Sequence, residues 1–194
     1  MITRKRFDFM KLKYGHYSSW AVWAEPEENK PKSNLEDITI IDHTKVNPEI
    51  VLVAYNFSDH VFKNSLGNFH EDRPTGTAFK LRYALKDTAL YGGYMTDIIK
   101  GLHETDSTKV KQYLKKNPEI LKKNIDSFCQ ELGDLKAKNP LLIALGSDVY
   151  DILSKKFQNY NIIKIPHYAA RNFNSKEKYR EKVLDCISCI TEEK

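Results

Sequence analysis

Residues able to do chemistry in this chain gather where apolar runs stop. The run 48–53 gives way to Ala54-Tyr55-Asn56-Phe57-Ser58-Asp59-His60, and Tyr94-Met95-Thr96 ends at Asp97. Residues 141–145 run into Gly146-Ser147-Asp148, and residues 161–165 end at Pro166-His167. Several familiar chemistries are missing. Cys186-x-x-Cys189 has ligand spacing, but Cys129 is the only other cysteine, so no four-cysteine site exists. The six histidines are scattered, and none forms a His-x-x-x-His pair. No metal and no cofactor are expected. Gly92-Gly93 and Gly146 are too isolated for a glycine-rich phosphate loop, and no Gly-x-Ser-x-Gly elbow occurs. These absences remove the commonest α/β enzymes.

The elements that must position the remaining groups follow from periodicity. Unbroken apolar runs of strand length are the pattern of a sheet covered by helices on both faces. Helical spacing follows in residues 79–90, 107–135 and 175–190, with a break expected near Asn117-Pro118 in the second. Val149, Tyr150, Ile152 and Leu153 add a further helical pattern. Strands alternating with helices indicate an α/β fold, here a three-layer α/β/α sandwich with a central, mainly parallel sheet of about four strands. Ligands in such sheets bind beyond the carboxyl ends of the strands, which is where the polar residues collect.

At 194 residues the chain suits one domain, read here as residues 1–194, and one large enough to fold without disulfides. Residues 1–47 read as an aromatic-rich N-terminal extension packed on it, since Tyr14, Tyr17, Trp20 and Trp23 fall close together. With 41% hydrophobic and 29% charged residues, long disordered tracts are not expected. No apolar run reaches membrane-spanning length, and three cysteines fit a reducing cytoplasm. The net charge of +5 is compatible with a polyanion partner but equally with simple solubility.

Four segments, in a fixed order, carry a resemblance. They are residues 53–58, residues 71–79 (Glu71-Asp72-Arg73-Pro74-Thr75-Gly76-Thr77-Ala78-Phe79), residues 94–100, and residues 163–171 preceded by 142–146. Their order and spacing resemble the uracil-DNA glycosylase superfamily over about residues 48 to 190. The resemblance implies a DNA partner carrying a damaged or mismatched base, and either hydrolysis or recognition of a nucleobase–deoxyribose bond. The alternative is a weak or inactive member of the same fold that binds nucleic acid or a nucleobase derivative.

Carried over by position, the resemblance makes Asn56 the residue that orients the attacking water and His167 the hydrogen-bond donor to the departing base. It makes Phe79 the ring that stacks on a flipped base, Asp97 the reader of the base edge, and Arg171 the side chain inserted into the vacated stack. Tyr55, beside Asn56, joins the substrate-binding set. The chain departs from the family pattern at Phe57, at Asp97 (where an Asn is usual) and at Tyr168-Ala169.

Each assignment has a purely structural alternative. Asn56 and Asp97 both have the chemistry of helix caps, Phe79 fits a helix core position, and His167 fits a loop histidine. Asp59, His60, His70 and Glu71 lie near the same edge and are alternatives to Asn56. Lys176, Lys178, Arg180 and Lys182 fit a solvated helix face, and the two cysteines of the last helix fit small core residues.

Overall fold

The computed structural model describes residues 1–30, 32–57, 64–73, 75–102 and 104–191, without the side chains of residues 189–191. The element order is α1 (Arg4–Tyr14), β1 (Ser19–Trp20), β2 (Asn47–Asn56), α2 (Ala78–Leu85), β3 (Gly93–Ile99), α3 (Ser107–Lys116), α4 (Pro118–Leu135), β4 (Leu141–Leu145), α5 (Ser147–Lys156), β5 (Ile162–Ile165) and α6 (Lys176–Thr191). The strands form one sheet in the order β1-β3-β2-β4-β5. All pairs are parallel except β1–β3.

The chain is therefore α/β with a mostly parallel sheet flanked by helices, as the apolar runs imply. Along β2, Val51 and Val53 face one apolar cluster while Ile50, Leu52 and Ala54 face the other. That alternation places each successive side chain on opposite faces of the pleat. The first cluster takes in Phe7 and Met10 of α1, Val110 of α3, Phe128 of α4 and Val149 of α5. Leu81 and Leu85 of α2 and Tyr179, Val183 and Ile187 of α6 cover the other face. Pro118 opens α4 at its first turn, where a missing N–H costs nothing, and so separates it from α3. At the start of α6, the Lys178 N–H donates to Ser175 Oγ at 3.2 Å.

The helix expected over residues 79–90 spans only Ala78–Leu85, and two further differences from the sequence reading bear on the site. β3 does not stop at Asp97 but continues to Ile99, so Asp97 is a strand residue and caps no helix. The fifth strand comes from the N-terminal segment. Trp20 is fully buried, 6.1 Å from the Phe7 ring and 5.0 Å from that of Tyr94, and its backbone pairs with Tyr94. The Ala21 N–H donates to the Gly93 carbonyl at 2.8 Å and the Gly92 N–H to the Ala21 carbonyl at 2.9 Å. Gly92 has φ +81°, and a Cβ there would meet the Lys45 carbonyl at 2.5 Å, so this junction requires glycine. Residues 19–20 are thus part of the sheet and not merely an addition laid on it.

Among the described residues no helix is long and apolar enough to cross a membrane.

Candidate functional site

A cleft of about 830 Å³ opens at the carboxyl ends of β2, β3, β4 and β5. Tyr55 and Asn56 reach it from β2, Asp97 from β3, Gly146 from the β4–α5 turn, and His167 and Arg171 from the segment after β5. Register explains part of this convergence. Ala54 pairs with Asp97 and Val53 with Ala144, so β2 and its two neighbours end side by side.

Asn56 ends β2 with its amide pinned. Its Nδ2 donates to the Glu104 carbonyl at 2.7 Å and to the Leu102 carbonyl at 3.3 Å. Reversing the amide would set its oxygen against two carbonyls, so the orientation is fixed by its surroundings. Oδ1 is buried and has no hydrogen-bond partner among the described residues. A helix cap accepts with that oxygen from its own helix, and Asn56 does not. A buried acceptor left this way costs about 1–3 kcal/mol.

Asp97 is 4% exposed. Its Oδ2 accepts from Asn68 Nδ2 at 2.8 Å. Burial pushes its carboxyl up to about 7, against the opposing pull of the Asn68 hydrogen bond and of Lys100. The group therefore changes charge near neutrality.

His167 is half-buried, and burial lowers its imidazole to about 4, so the ring is neutral at ordinary pH. The Ala169 N–H donates to Nδ1 at 3.1 Å, which assigns the ring hydrogen to Nε2. The ring lies on Tyr168 at 4.4 Å with 24° between planes. Gly146, at φ +103°, brings the β4–α5 turn against His167, and its N–H donates to the Ile165 carbonyl at 2.9 Å. Arg171 is exposed at the rim, and burial pushes the Tyr55 phenol up to about 12.

Phe79 corrects the expected convergence. It lies on α2 one turn from Tyr83, and both line a second pocket of about 600 Å³ together with Trp23 and Tyr91. Residues four apart share a helix face, and the opposite face of α2 is the one committed to the sheet. Lys32 Nζ sits 5.6 Å from the Phe79 ring centre. Among the described residues, the aromatic rings lining the first cleft are instead Tyr55, Phe57, Phe69 and Tyr168, with Phe69 edge-on to Tyr168 at 6.4 Å. Lys176 lines the second pocket too and not the cleft.

Asn68 and Phe69 are absent from the sequence-level set. They sit in a loop that the N-terminal segment holds at several points. The Leu66 N–H donates to the Gly15 carbonyl at 2.6 Å, Ser19 Oγ donates to the Leu66 carbonyl at 2.7 Å, and Asn68 Nδ2 donates to the Tyr17 carbonyl at 2.7 Å. Leu66 (φ 69°) and Phe69 (φ 66°) both take left-handed conformations that cost a non-glycine residue about 1–3 kcal/mol. The only sequence signal is the Gly67-Asn68 pair, a turn signature.

Of the alternatives to Asn56, His70 is buried beside Trp23 with Nε2 3.1 Å from the Trp20 carbonyl. Glu71 lines the cleft and pairs with Arg73. Asp59 and His60 lie outside the described residues. Among the described lining residues, Arg171 is the single cationic side chain beside five carboxylates, those of Glu71, Asp97, Glu104, Asp106 and Asp148. Lys109 faces Glu104 at 3.5 Å and Lys111 faces Asp148 at 2.9 Å. No group of three or more His, Cys, Asp or Glu side chains is arranged for a metal ion among the described residues. Cys186 is half-buried, and the Cys189 side chain lies outside the described set.

No family model, curated protein or solved structure matches the chain.

Proposed function

We propose that the chain is a DNA glycosylase-like protein whose cleft receives a flipped nucleobase and hydrolyses or recognises its bond to deoxyribose. The observation that carries this reading is Asn56, which lines one cleft with His167 and whose amide nitrogen is tied to two carbonyls while its oxygen has no partner among the described residues.

Breaking the glycosidic bond leaves positive charge on the sugar and negative charge on the base. The His167 Nε2–H can donate to the base oxygen as the anion forms, a preorganised contribution of about 3 kcal/mol by analogy with oxyanion donors. Asn56 Oδ1 can accept from a water and aim it at the sugar, but an amide takes no proton, so turnover is slow. Flipping the base costs a few kcal/mol, and an aromatic face returns about 1–3. Phe69 and Tyr168 are placed to supply that face in this reading, in preference to Phe79. Arg171 is available to enter the vacated stack from the rim.

The second reading, binding without hydrolysis, draws on the same amide, because Asn56 is not a base. An odd number of cysteines, three, favours a reducing, cytoplasmic setting for either activity. The test is incubation with oligonucleotides that carry uracil, hypoxanthine, xanthine or a mismatched base, followed by a search for alkali-labile sites. Slow cleavage that disappears in Asn56→Ala supports hydrolysis. Binding without cleavage supports the second reading, and neither binding nor cleavage at low salt refutes both.

A further inference from the structure

We infer that the cleft selects a base bearing an exocyclic amino group, with Asp97 receiving the amino N–H and His167 donating to a ring carbonyl or nitrogen. The inference rests on the nucleobase reading above and gives it a substrate class.

Donor and acceptor bookkeeping on three side chains carries the argument. Asn68 spends both amide hydrogens, one on the Tyr17 carbonyl and one on Asp97 Oδ2, so it has only its carbonyl oxygen left. Asn56 likewise spends Nδ2 on the Leu102 and Glu104 carbonyls and retains only Oδ1. Asp97 has one oxygen engaged by Asn68 and the other, Oδ1, without a partner among the described residues. Three side chains on the β2–β3 side of the cleft therefore offer oxygen acceptors and no N–H. Across from them, His167 accepts with Nδ1 and has its Nε2–H to give.

A base whose oxo group meets Asp97 sets oxygen against oxygen and leaves an acceptor unmade on each side. The amino analogue of the same ring places an N–H there and keeps its other polar atom for His167. Cytosine against uracil, and adenine against hypoxanthine, are such pairs. One buried hydrogen bond lost to an oxygen–oxygen contact corresponds to roughly a tenfold to hundredfold difference.

Protonation of Asp97 relaxes the selection, since a neutral carboxyl gains an O–H that an oxo group can accept. The groups facing it are Asn68, which holds the carboxylate form, Lys100, which favours it, and Glu131, which opposes it. The Tyr168 phenol also feels the charges of Asp97, Glu71 and Arg73. Because Asp97 titrates near 7, oxo bases should gain as pH falls below that value.

The experiment uses thymidine oligonucleotides with a single central cytosine, uracil, adenine or hypoxanthine. Affinity and alkali-labile cleavage are measured with the full chain at pH 8 and pH 6. The expected result is at least a tenfold preference for cytosine over uracil and for adenine over hypoxanthine at pH 8, shrinking at pH 6. In Asp97→Asn the preference for the amino base should be lost at both pH values. Should that variant fail to fold, the wild-type pH series decides alone. Equal or stronger handling of uracil and hypoxanthine at pH 8 would overturn the selection while leaving the nucleobase reading in place. Identical weak binding to all four and to plain thymidine, with no cleavage, would overturn both.

Discussion

One nitrogen, Asn68 Nδ2, bridges Asp97 Oδ2 at 2.8 Å and the Tyr17 carbonyl at 2.7 Å. The bridge ties a buried carboxyl on β3 to the N-terminal segment, and it fixes which carboxylate oxygen remains for a ligand.

The bridge is open to direct test. The Asn68 hydrogen bond favours the charged form of Asp97, so Asn68→Leu should move the Asp97 titration above about 7. Stability should fall by about 1–3 kcal/mol as the Tyr17 carbonyl loses its donor. Carbon-detected NMR titration and urea unfolding measure the two effects. An unmoved midpoint would mean that the contact does not hold the carboxyl.

Asp97 also sets a stability slope. Its folded value of about 7 lies above the ordinary carboxyl value of 3.8, so the folded state binds the extra proton. That contribution is complete below pH 3.8 and is lost as pH rises through about 7, at about 1.4 kcal/mol for each pH unit between the two values. His70 and His167, both lowered to about 4, slope the other way between about 4 and 6.5. The difference between wild type and Asp97→Asn cancels them. Relative to wild type, the variant should gain stability between pH 5 and pH 8 in urea denaturation, and a flat difference would contradict the buried-carboxyl assignment.

The neutral His167 ring predicts a rate free of any histidine titration near 6.5. Because Asp97 titrates near 7, the profile is read in Asp97→Asn, where base release should show no inflection near 6.5 and a further His167→Ala should lower it roughly 100-fold to 1000-fold at every pH. A step at 6.5 would indicate that His167 acts as a charged acid.

Ser19→Ala removes the hydroxyl that donates to the Leu66 carbonyl. The expected loss is about 1 kcal/mol, with faster amide exchange confined to residues 64–70 and weaker ligand binding. Hydrogen exchange by mass spectrometry reads it. Unchanged exchange in that loop would show that the N-terminal segment does not brace the site.

The four parallel strands and the α3–α4 break were legible because unbroken apolar runs and a proline at a helix start are local signals. β1 was not, since two residues, Ser19 and Trp20, have no periodicity of their own and become a strand only by pairing with Met95 and Tyr94. Asn56 and His167 were legible as cleft-lining residues because each lies where an apolar run stops, whereas Asp97, expected at the end of β3, lines the same cleft from inside that strand. Asn68 and Phe69 were missed because their positions depend on contacts with residues about 50 places earlier in the chain. Phe79 was misplaced for the converse reason: helical spacing gives a face, and only packing decides which pocket that face meets.

The central claim concerns Asn56, and single-turnover base release from an oligonucleotide tests it most directly in wild type, Asn56→Ala and Asn56→Asp. A carboxylate in place of the amide would set an oxygen against the Leu102 and Glu104 carbonyls, so Asn56→Asp should hold its proton, donate it to one of them and release base no faster than wild type at neutral pH. Wild type should be slow, and Asn56→Ala should bind without release. Release by Asn56→Ala at the wild-type rate would contradict the account.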